Sequence, residues 1–224
     1  MAHAVEKHPV TGIPANPEKA TLEGKNKYVA FWFFLGGETV LFASLFGTYV
    51  GLLNSGAPEE LRSYNIFEME LVFIMTMLLL TSSLTSVLAM MNMKANNPGR
   101  MKLWLIVTLL LGAGFLGAEI YEFIHYYHIG HTFTSSAFGS AFYTLVGFHG
   151  AHVTFGLLWI TTLLIRNWNR PIDVYNAPKF YVSSLYWHFI DVVWVFIFSI
   201  VYLLGMVNKK GKTSNERISQ AVRA

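Results

Sequence analysis

Seven ionisable side chains, Glu38, Glu119, Glu122, His149, His152, His188 and Asp191, stand in stretches that are otherwise apolar. Glu38 is the only charged residue of "FWFFLGGETVLFASLFGTYVGLL", which runs from Phe31 to Leu53. An ionised carboxylate in hydrocarbon is costly, so such residues usually face protein or water and point to function. Helical spacing gives Glu38 the neighbours Phe31, Phe34, Phe42, Leu45 and Tyr49 on its own face, and no cation. Two readings stay open: a proton-exchanging, carbodiimide-reactive carboxyl at a subunit contact, or a neutral carboxyl hydrogen-bonded to a neighbouring helix.

A second group falls in "AEIYEFIHYYHIGH". Glu119 and Glu122 are spaced i, i+3 on one side of a helix. Glu122 and His125 form an E-x-x-H, the pattern that di-iron bundles use, and His128 and His131 continue the spacing. Such a bundle needs two E-x-x-H motifs and two further carboxylates, and this chain has one motif. Metal binding is therefore not expected. Pairing is: "GFHGAHVTFG" offers His149 and His152, and helical rise puts His149 ~25 Å from the Arg166 end, at the height of Glu119. A Glu119–His149 or Glu119–His152 hydrogen bond would relieve both partners. "YWHFIDVVW" places His188 and Asp191 at i, i+3, with Ser184, Trp187, Trp194 and Tyr202 on the same side. That reads as a structural lock, with a proton relay as the alternative. No nucleophile motif, phosphate loop or haem-ligand pair emerges.

The elements that position these groups are long apolar helices. The 224 residues are 54% hydrophobic, 16% aromatic and 13% charged, against roughly 25% charged in a soluble domain. Five runs, at about 29–53, 67–91, 102–126, 137–165 and 180–206, are long enough to cross a bilayer. The expected fold is an all-α, polytopic membrane bundle of five transmembrane helices. Residues 1–27 and 207–224 read as polar tails, and the first shows no apolar core of a signal peptide. With no cysteine, disulfides, thiolate-held copper, Fe–S clusters and C-x-x-C-H haem attachment are excluded. The net charge of +3 is mild and gives no reason to expect nucleic acid.

Lys and Arg set orientation. With the N-terminus inside, inner segments hold ten basic residues and outer segments six, five of them in the C-terminal tail. The outer loops between helices hold only Arg62, which predicts N-in, C-out. Small residues, Gly37, Ser44, Thr48 and Gly51 on helix 1 and Gly139, Gly147, Gly150 and Gly156 on helix 4, are expected to serve close helix packing. A proton-coupled transporter is the rival of another class. It predicts broken helices around a midplane cavity, and no paired Gly/Pro interruptions occur.

Four motifs together resemble subunit III of the haem–copper oxidases, the cytochrome c oxidase family. "GFHGAHVTFG" and "SSLYWHFIDVVWVFIFSIVYLLG" are similar to that family's GFHG-x-HV-x-x-G segment and final helix. "FLGGETVLFASLF" is similar to its glutamate-bearing early helix, and "AEIYEF" to its E-x-x-E helix. The resemblance runs in order from about Tyr28 to Gly205. It implies a subunit with no catalytic centre and no haem or copper of its own, those cofactors lying in partner subunits. It implies packing on subunit I, with subunit II and a small subunit IV in the complex, and support of stability and proton uptake during electron transfer to oxygen. It implies that Glu38 is the carbodiimide-reactive carboxyl, that phospholipid binds, and that the setting is a bacterial cytoplasmic membrane. Longer members have seven helices and a lipid cleft beside the first two, so that cleft cannot be carried over whole. Shorter bacterial members are closer, and there a longer subunit I is thought to supply extra helices. A quinol oxidase subunit III is the near alternative.

Overall fold

The structure, a computed structural model, describes residues 16–52, 69–128, 133–134 and 136–203. The expected tails up to residue 15 and beyond 206, Arg62 and His131 lie outside them. Five helices are seen: α1 (Leu22–Leu52), α2 (Met69–Lys94), α3 (Pro98–His128), α4 (Ala137–Arg166) and α5 (Ala177–Ile197). A π-helical turn, Phe198–Leu203, continues α5, and a 3-10 turn, Pro17–Lys19, precedes α1. All five are long and apolar enough to span a membrane, and no strand occurs among the described residues. The chain is an all-helical, multi-pass membrane protein.

Helix α1 starts at Leu22, not near 29, because the polar run "LEGKNK" is helical. The Thr21 hydroxyl accepts from the Gly24 N–H at 3.0 Å, which satisfies one of the free donors of the first turn. The Glu23–Lys27 pair one turn further on adds an i, i+4 contact. Helix α3 also starts earlier than expected. Asn96 takes a positive φ of 51°, and the N–H groups of Asn96 and Asn97 return to the carbonyls of Met93 and Asn92. That Schellman arrangement ends α2, and Pro98 can open α3 at once because its missing N–H is not needed there.

The link from α4 to α5 is closed by its own side chains. The Asp173 carboxylate accepts from the N–H groups of Tyr175 and Asn176, while the Asn176 side chain accepts from Asp173 N–H and donates to the Pro171 carbonyl. Helix α2 lies along α3, α4 packs on α1 and α3, and α5 touches α1, α2 and α4. Half of the apolar window of α5 is buried, against 11% for α1. Large apolar side chains such as Phe33, Val40, Leu110, Leu158 and Ile165 point outward, as lipid-facing positions should.

Candidate functional site

Chemistry along the bundle is organised around α5. Its seam with α2 is a polar ladder in antiparallel register. The indole of Trp194 donates to Thr76 (3.1 Å), that of Trp187 to Ser82 (3.0 Å), and Ser184 meets Ser86 (2.8 Å). Thr76 and Ser82 pass their own protons to carbonyls one turn back, at Val72 and Leu79. Every polar atom named thus has a partner, which in hydrocarbon is what makes burial tolerable.

His188 and Asp191 do not form the direct pair that their spacing suggested. Ser83 of α2 comes between: its hydroxyl lies 2.6 Å from His188 Nδ1 and stands near the Asp191 carboxyl, whose Oδ1 has no hydrogen-bond partner. His188 Nε2 has only a long contact, 3.5 Å, to Ser184. The i, i+3 spacing puts both residues on one face, but a hydroxyl from the facing helix fits the gap better than the side chains fit each other. Nothing in the helical period of α5 identifies Ser83. The signal was "TSSLTS", a run of hydroxyls in an apolar helix.

Glu38 and His152 come together, joining α1 to α4. Oε2 of Glu38 is 3.2 Å from His152 Nε2, and both side chains are mostly buried. The other ring nitrogen, Nδ1, lies 2.8 Å from the Phe148 carbonyl, which can only accept. The Nδ1 proton is therefore fixed, and the Nε2···Oε2 contact holds one shared proton. Phe42 and Phe148 pack around the imidazole at 5.2 and 4.8 Å between ring centroids. His152 is thus committed to α1 and is not a partner for Glu119. The two histidines share a depth range, but three residues of helix turn them to different neighbours.

Glu119 and His149 are at one level, as helical rise suggested, yet no hydrogen bond joins them. Glu119 is 3% exposed and His149 is 0% exposed. Both carboxyl oxygens and both ring nitrogens lack a hydrogen-bond partner. The ring of His149 stacks on Trp194 (5.3 Å, 30°) and meets the edge of Phe115 (5.9 Å, 89°). Gly150 matters here: a Cβ on it would stand 2.6 Å from Glu119 Oε1, so only glycine leaves room for the carboxyl. One turn along α3, Glu122 accepts from the hydroxyls of Tyr126 and Tyr202, the latter at 3.0 Å. Tyr202 rides on the π-helical turn at the end of α5. The E-x-x-H carboxyl therefore serves tyrosines. His125 stacks on Tyr121 with ring centroids 6.5 Å apart. No group of three or more His, Cys, Asp or Glu among the described residues gathers as a metal site.

The expected glycine packing holds in part. Gly112 and Gly156 both lie against Trp187, where added Cβ atoms would come within 2.7 and 3.1 Å of its ring. By contrast Gly36, Gly37, Gly47 and Gly51 of α1 would meet nothing within 4 Å. These α1 glycines are in close contact with no other described helix, so they do not pack this bundle.

Five apolar spans with imidazoles and carboxyls tied between helices define a membrane subunit whose polar groups are mostly answered by its own side chains. The chain belongs to the family described as Cytochrome c oxidase subunit III, which it matches over residues 20–206. It is 67% identical over 203 residues to cytochrome c oxidase subunit 3 of Bacillus subtilis (strain 168), covering 90% of this chain and 98% of that one. It is 65% identical over 209 residues to the protein of the same name from Bacillus sp. (strain PS3), covering 92% and 99%. Quinol oxidase subunit 3 of Bacillus subtilis (strain 168) is 46% identical over 210 residues, covering 92% and 98%.

Proposed function

We propose that this chain is the third subunit of a bacterial cytochrome c oxidase, and that it works without a redox centre of its own. The observation that carries the choice of donor class is the gap between 67% identity to a cytochrome c oxidase subunit 3 and 46% to a quinol oxidase subunit 3 of the same organism. Haem and copper sit in partner subunits. In favour of this, two of the intramembrane imidazoles are already engaged within the fold, His152 with Glu38 and His188 with Ser83. The chain packs on subunit I, with subunits II and IV in the same complex, stabilises it and supports proton uptake. It lies in the cytoplasmic membrane with its N-terminus inside. Phospholipid binds at its lipid-facing surface.

In this role Glu38 is the reactive carboxyl, and its chemistry follows from the contact with His152. A carboxyl that shares one proton with an imidazole can give or take that proton without leaving a bare charge in hydrocarbon. The test is co-purification. Membranes are solubilised gently, the complex is captured through a tag on this chain, and its visible spectrum is recorded. A haem a-type band with stoichiometric large subunits, and oxidation of reduced cytochrome c but not of quinol, is the expected result. A colourless lone chain contradicts the subunit assignment, and a quinol-oxidising complex contradicts the donor.

A further inference from the structure

Among the described residues, the layer between α3, α4 and α5 that holds Glu119 and His149 leaves the polar groups of two facing side chains unanswered. Four polar atoms of two side chains are involved, and both residues are almost wholly enclosed. Native folds tolerate very few such atoms, and a buried polar group normally has a protein or water partner. Gly150 supplies no side chain where the carboxyl lies, and Trp194 and Phe115 hold the imidazole by its face and edge.

We propose that one internal water molecule bridges the Glu119 carboxyl and the His149 ring. Water suits this pair for a specific reason. It carries two donors and two acceptors, and a neutral imidazole has one donor and one acceptor nitrogen, so either tautomer meets a complementary group. The carboxyl is likewise served in either of its forms. A metal ion does not suit the pair, because two ligands on two helices leave the remaining coordination positions unfilled. The bridge makes the Glu119–His149 layer a hydrogen-bonded unit, placed between the Glu122–Tyr202 contact and the Glu38–His152 contact. It holds whether the electron donor is cytochrome c or a quinol.

The experiment is a map of the purified complex, at a resolution that shows ordered water. The expected result is a density peak within hydrogen-bond distance of a Glu119 oxygen and of a His149 nitrogen. A direct Glu119–His149 hydrogen bond, or no peak between them, overturns the proposal. A thermal double-mutant cycle is the companion. Glu119→Leu and His149→Leu should each lower the Tm of the complex by several degrees, because each leaves a buried partner unanswered. The double variant should fall no further than the worse single; additive losses count against a shared bridge. Should the leucine variants fail to assemble, Glu119→Gln keeps the shape and two polar atoms. It should retain the peak, and loss of the peak in that folded variant overturns the bridge.

Discussion

Thr76, Ser82, Ser83 and Ser86 of α2 each meet a polar atom on α5. Ser44 and Thr48 of α1 bond only to carbonyls of their own helix, at Leu41 and Ser44. The glycines divide in the same way: Gly112 of α3 and Gly156 of α4 receive Trp187, while Gly36, Gly37, Gly47 and Gly51 of α1 face open space. The residue types are alike and the outcomes differ. In hydrocarbon, small and hydroxyl side chains contribute only where another helix presents the complementary group, because apolar burial gives little drive for helices to associate. The centre of the bundle is tied by many short polar links. Helix α1 is attached by aromatic contacts and one inter-helical carboxyl–imidazole contact.

The strongest way to break this contrast is to fill a used glycine. Gly112→Val forces a branched side chain into the ring of Trp187, which a Cβ alone would already approach to 2.7 Å. Loss of assembled, haem-containing complex from membranes is expected, measured by its visible absorbance per cell. A smaller effect is expected for Ser83→Ala, which removes the hydroxyl between His188 and Asp191. Leaving these groups unanswered costs about 1–3 kcal/mol, seen as a lower melting temperature with the fold retained. Glu38→Gln should change stability little, because the amide N–H donates to His152 Nε2 while its shape is kept. That variant sharpens the chemistry instead, since labelling by a hydrophobic carbodiimide should disappear; full labelling would assign the reactive carboxyl elsewhere. Least of all, Gly47→Ala should not lower the melting temperature of the chain on its own. Alanine favours the helix over glycine, and a fall there would mean that the outward stripe touches something within this bundle.

The five spans and the membrane class were legible in the sequence, since unbroken apolar runs of this length have few other uses. Helix ends were less so: "LEGKNK" reads as tail by polarity, and only the Thr21 cap shows that it is helix. Depth was also legible, and Glu119 and His149 do share a layer. Direction was not. A 3.6-residue period gives the angle between His149 and His152 but not which neighbour either faces, and so the pairing of Glu38 with His152 was missed. Ser83 was missed for the same reason, because a partner on another helix leaves no mark in the period of α5. The α1 glycines were misjudged because composition cannot say whether a close-packing surface is used by its own chain.

The central claim, that the Glu38–His152 contact is a polar tie that helps hold α1 to the bundle, is tested most directly by hydrogen–deuterium exchange of the purified complex in lipid nanodiscs. Glu38→Leu should speed exchange in peptides spanning 22–52 and leave those of α2 and α5 as they are in the unaltered chain. Unchanged exchange in α1, or an equal rise across all five helices, would contradict it.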